Sequence, residues 1–196
     1  MIDYAFHHCE CVTRIVRGDA SALNDMDLSV DGFWRSFGAI ALSIPALFFT
    51  WVASARDLAV GGYTGSMPSL LARQAGLDLF LWLMPVLALA LLLPALGLGR
   101  QFTQLIVARN WLSLIIAYVV AALTLIDMFI PDEGDGLMIT LYILVLLASV
   151  WVFARVTLVA LDGQRAAAFS LVAAEVLIIF LLAGVLSAAL GLTLPL

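Results

Sequence analysis

Two charged side chains, Arg155 and Glu175, stand inside long apolar runs on either side of the polar stretch 161–165. A guanidinium and a carboxylate at similar depth can relay a proton or an ion. They can also neutralise one another and fix how two helices meet. At 1.5 Å rise per residue, Arg155 and Glu175 lie roughly 12 and 18 Å from a turn centred near Gly163, about one helical turn apart in depth. Arginine is long enough to bridge that gap. No histidine, second deep carboxylate or nucleophile accompanies the pair. We therefore expect a structural ion pair locking the last two runs, with a relay as the alternative.

The other residues able to do chemistry are fewer. The run His7, His8, Cys9, Glu10, Cys11 is the single metal-like cluster, and imidazole and thiolate suit zinc or copper. Helical geometry points Cys9 and Cys11 nearly opposite ways. His7 and Cys11 can share a face, but two ligands do not close a structural site, so no metal or other cofactor is expected. Asp127 stands near the end of another apolar run, where a carboxylate is inexpensive. We read it as an interface residue, with an ion or proton site as the alternative. The H-E-x-x-H, G-x-S-x-G, P-loop and dinucleotide-binding motifs are all absent. Both histidines lie outside the apolar runs. The chain is accordingly read as non-catalytic.

The elements that carry these residues follow from composition. The chain is 64% hydrophobic and 12% charged, against about 45–50% and about 25% for a soluble domain. Its solvent must be lipid. The net charge of −5 is dispersed, and no basic patch suggests nucleic acid. Two cysteines this close make no disulfide framework. A polar N-terminus without a basic-then-apolar leader implies that the first apolar run is retained.

A hydrocarbon core about 30 Å thick needs about 20 apolar residues in a helix, and five stretches qualify: roughly 33–55, 77–98, 105–130, 137–161 and 170–194. Their backbone groups must be satisfied within each segment, so they are helices. The expected fold is all-α: a five-helix transmembrane domain over 33–196, preceded by a polar segment over 1–32. All nine basic residues are arginine. With the N-terminus inside, Arg14, Arg17, Arg35, Arg100, Arg109, Arg155 and Arg165 fall on the inner side, and Arg56 and Arg73 on the outer. This predicts a cytoplasmic N-terminus and an outer C-terminus, with the acidic loop Asp132, Glu133, Asp135 outside. Lysine-free, alanine- and leucine-rich composition points to a bacterial chain of the inner membrane.

Within 1–32, Ala5, Phe6, Cys9, Val12, Ile15 and Val16 recur at helical spacing. They describe an amphipathic helix, either lying in the membrane interface with Arg14 and Arg17 near lipid phosphates, or packed on the protein's own inner face. Asp31 is placed to cap the first span, and Trp34 and Arg35 to mark its interface. Pro45, Pro85 and Pro94 predict bends. The stretch 66–76 suggests a short surface helix capped by Ser66 and ended by Gly76, with Leu70 and Leu71 toward lipid. Residues 100–110 either open the third span or lie on the inner surface. In the fifth span, Gly184, Ser187, Ala188 and Gly191 form small-x-x-x-small patterns, a face for close helix packing within the chain or with a second copy.

Five closely spaced helices behind a polar N-terminus, and the stretch GDASALNDMDLSVDGFWRSF (18–37) leading into a proline-bearing span, resemble the Yip-type membrane proteins and their small bacterial relatives. The resemblance lies in topology and implies a helical scaffold that binds other membrane proteins or shapes membrane, without catalysis. The function expected is therefore a scaffold or accessory subunit partnered by lipid and by a membrane protein or another copy. A small transporter or channel subunit using Glu175 and Arg155, or Asp127, is the alternative.

Overall fold

In the computed structural model, which describes residues 2–129 and 136–192, the fold is all-α, with no strand among the described residues. Helices α1 (Ile2–Arg17), α2 (Val30–Ser36), α3 (Gly38–Val60), α4 (Met67–Ala95), α5 (Phe102–Asp127), α6 (Gly136–Ala160) and α7 (Arg165–Ala189) follow one another, with 3-10 turns at Ala20–Asp25 and Gly99–Gln101. Five of the helical stretches are long and apolar enough to cross a membrane: Val30–Val60, Met67–Ala95, Gly99–Asp127, Gly136–Ala160 and Arg165–Ala189. The acidic loop at 130–135 and the end of the fifth expected span lie outside the described residues.

Helix α5 is the hub. It packs against α1, α2, α3, α4 and α6. Among the five spans it is the most covered: 44% of its most apolar window is buried, against 6% for α7. Residues 100–110 therefore do not lie flat on a surface. Leu105, Ile106, Val107 and Ala108 are buried in the bundle, which requires the helix to begin at Phe102 and carry Arg109 and Asn110 inward with it.

The N-terminal segment packs on the bundle. Ala5, Cys11, Val12 and Ile15 of α1 share one core with Val107, Ala108, Trp111 and Leu112 of α5 and Val156 of α6. Arg14 does not reach outward: it bonds Asp19 and Asp25 at 2.6 and 2.7 Å. Arg35 lies over the Tyr4 ring, 5.7 Å from its centroid, and is exposed, as are Arg17 and Trp34. The cap of α2 is Ser29, whose hydroxyl accepts the N–H of Gly32 at 3.0 Å. Asp31 instead lies within the first turn, where its carboxylate faces the positive helix end.

Two further expectations are corrected. Ser66 does cap its helix, accepting the N–H of Ser69 at 3.3 Å, but Gly76 does not end it. Nothing lies near the place its side chain would occupy, and α4 runs on unbroken to Ala95. Leu70 is fully buried against Ala55 and Leu58 of α3 instead of facing lipid.

Between α6 and α7 the chain reverses through Asp162 and Gly163, both at positive φ (53° and 78°). The left-handed region suits glycine and, less well, aspartate. The turn thus centres at Gly163, but α7 begins at Arg165, five residues before the expected 170.

Candidate functional site

Several polar side chains within the spans meet on α5. Arg109, seven residues into that helix, forms a hydrogen-bonded ion pair with Glu175 of α7. Both side chains are largely buried, 12% and 14% exposed. The Arg109 guanidinium also stands over the Phe153 ring of α6, at 5.0 Å. One residue further, Asn110 accepts the indole N–H of Trp82 (α4) at 3.1 Å and donates to the Ser36 hydroxyl (α2) at 2.9 Å. The Ser36 hydroxyl in turn donates to the carbonyl of Phe33 at 2.7 Å. Gln104 donates to the carbonyl of Ala160 on α6 at 2.5 Å. Between α3 and α4, the indole of Trp51 donates to Asp78 at 2.5 Å. In a dry interior each such group needs a partner, and these groups find theirs on neighbouring helices.

The expected Arg155–Glu175 pair is not formed. Arg155 turns toward Trp151, 5.6 Å from its ring centroid, and toward the N-terminal segment, 3.5 Å from where a side chain on Gly18 would begin. Depth along the α6–α7 hairpin is compatible with pairing, but azimuth is not: α6 presents Arg155 to the α1 side, and α7 presents Glu175 to α5. Arg109 is the cation that meets it.

Beside the ion pair, a cavity of about 270 Å³ runs between α3, α4 and α5, with α6 and α7 closing part of it. Asp78, Trp82, Arg109, Asn110, Ser113 and Glu175 supply its polar lining, and Leu47, Leu81 and Pro85 lie among its apolar walls. A second gap, between α4 and α7, also reaches Pro85 and Glu175. The charged and amide groups at this cavity can hold neighbouring helices together or contact a bound molecule.

The remaining sequence candidates are scattered. Asp127 accepts the hydroxyl of Tyr142 at 3.2 Å, at the end of the bundle opposite α1. His7 lies 3.8 Å from the Cys11 sulfur, on one face as expected, but its ring also bonds the Asp25 carbonyl at 2.9 Å. No third ligand joins them among the described residues. Burial pushes the thiols of Cys9 and Cys11 up, Cys9 to about 11, which keeps them protonated and unreactive near neutrality. Gly184 and Ala188 are exposed on α7, and Ser187 is half-buried. Gly191 does not belong to that row: it lies past the helix end at φ 65°, a left-handed cap, next to Arg73, which donates to the Leu190 carbonyl at 2.9 Å.

Sequence reasoning missed Asp78 and the Asn110–Ser36–Trp82 set. The signal for the latter existed, because an asparagine beside an arginine at the head of an apolar run marks an interior polar contact as readily as an interface. No protein family, curated protein or solved structure matches the chain.

Proposed function

We propose that this protein is a non-catalytic membrane scaffold or accessory subunit of the bacterial inner membrane, with its N-terminus cytoplasmic and its C-terminus outside, that presents α7 to another membrane protein or a second copy. One observation carries this reading: α7 is the least covered span, and its small-residue face is left open, with no atom of another helix within 4 Å of the place a side chain on Gly184 would occupy. Small residues let a second helix approach closely enough to gain van der Waals contact where lipid offers no hydrophobic drive. The use of the interior polar groups as inter-helix pairs supports the same reading, as does the resemblance of the chain's topology to the Yip-type proteins. Cross-linking in native membranes tests it. Wild-type protein is expected to yield one dominant cross-linked neighbour or dimer, and Gly184→Leu with Ala188→Leu to lose it. A lone monomer after gentle extraction, with no cross-linked species, overturns the reading.

The cavity beside Glu175 favours a second reading, a small transporter or channel subunit. That version expects Glu175→Gln to abolish a measurable flux in an assembled protein. Unchanged flux rejects it.

A further inference from the structure

The 270 Å³ cavity follows α4 from Asp78 to Leu89, roughly 16 Å of helix at 1.5 Å per residue. Its lining holds two carboxylates and one guanidinium, and Arg109 is committed to Glu175. Asp78 is left with one hydrogen bond, from the Trp51 indole, and with no basic side chain within ion-pair distance among the described residues. A carboxylate facing a low-dielectric space without a countercharge recruits a cation or a proton. Leu47, Leu81 and Pro85 are apolar neighbours for anything held there.

We propose that this cavity is a binding site for a small primary alkylammonium ion, its charged head on Asp78 and its short hydrocarbon body along Leu81 and Pro85. An ammonium supplies the missing positive charge and up to three donors, where the indole supplies one neutral donor. The hydrocarbon body distinguishes the ligand from a metal cation, which would leave the apolar walls unfilled. The site is the chamber on which the transport reading also rests; binding itself requires no transport.

The test is the thermal unfolding of the detergent-purified full chain at pH 7.5, with n-butylammonium chloride, equal NaCl or n-butanol added. A ligand that binds only the folded state raises Tm by mass action. A saturable rise is expected with n-butylammonium alone, absent in Asp78→Asn. Leu81→Trp, which keeps the carboxylate and fills the cavity, is expected to lose the rise too, and it carries the test where Asp78→Asn does not fold. No rise, an equal rise with NaCl or n-butanol, or a rise that persists in either variant overturns the site. A rise without flux rejects the transport reading and leaves the site standing; flux without a rise does the reverse.

Discussion

His8 on α1 accepts the backbone N–H of Asp27 at 3.1 Å through Nε2, while its Nδ1 faces the Tyr4 carbonyl at 2.8 Å. An accepting Nε2 and a carbonyl opposite Nδ1 define a neutral ring with its proton on Nδ1. The ring is 1% exposed and stacks near Trp111, at 5.4 Å between centroids. It is the pin between α1, the segment before α2, and the hub helix.

Acid should withdraw that pin. Burial holds His8 below its ordinary value of 6.5; the hydrogen bond to the Tyr4 carbonyl opposes this, His7 adds to it, and the Asp27 carboxylate opposes it more weakly. The undocked segment therefore binds a proton more readily than the docked one. Docking is fully supported above about pH 6.5 and weakens as pH falls below it. Amide hydrogen exchange across α1 is expected to speed up from pH 7.5 to 5.5 after correction for intrinsic rates. His8→Phe removes the acceptor, costing about 1–3 kcal/mol, and should flatten that pH response. Equal protection at both pH values in wild type contradicts the pin.

Tyr4 and Asp27 should behave as a unit on the same contact. The Tyr4 hydroxyl donates to Asp27 at 3.1 Å, and burial together with that carboxylate pushes the phenol up to about 12. Asp27 is held below the usual carboxylate range, first by the Ser29 hydroxyl. Its contribution is therefore present above about pH 4 and lost as pH falls further. An absorbance titration of a variant keeping Tyr4 as its lone tyrosine should show a phenol that resists ionisation at pH 11. An ordinary titration near pH 10 is the contrary result.

The Arg109–Glu175 pair can be separated from the Arg155 alternative by a double-mutant cycle. Removing one partner of a buried pair strands the other charge, so Glu175→Leu and Arg109→Leu should each destabilise by about 3–5 kcal/mol. The double variant should recover much of that loss. Arg155→Leu should add independently to Glu175→Leu. Denaturant unfolding of the single variants and of both double variants in detergent gives the two coupling energies, and coupling of Glu175 to Arg155 instead of Arg109 rejects the assignment.

Gly32 offers a steric test of the lead-in to the first span. A side-chain carbon there would stand 2.1 Å from the backbone carbonyl oxygen of Asp27, a clash that neither rotation nor a flexible tip can relieve. Gly32→Ala is expected to cost about 1–3 kcal/mol or more and to loosen exchange over residues 27–32. Gly76→Ala, where nothing lies within 4 Å, should be neutral or stabilising by the usual helix preference. Equal stability of the two variants contradicts the packing.

Length and apolarity were enough to read five spans, because lipid leaves the backbone few choices. The α6–α7 turn was legible for the same reason, marked by Asp162 and Gly163. The partner of Glu175 was not legible. Depth can be counted from a turn, but the direction a helix faces depends on every neighbour, and α5 brings Arg109 from 66 residues away. Asp78 escaped notice because a carboxylate at the edge of an apolar run reads as an interface residue until a cavity is seen beside it. The α1 apolar face was visible, but its partner was not, since the same stripe fits lipid or protein equally well.

The separation of 66 positions from Arg109 to Glu175 is also an interval of time. At about 5–20 residues per second, synthesis reaches Glu175 roughly 3–13 s after Arg109. Throughout that interval the hub helix carries a guanidinium whose carboxylate has not yet been made. A chain halted before residue 175 therefore holds Arg109 without the carboxylate that neutralises it in the finished bundle.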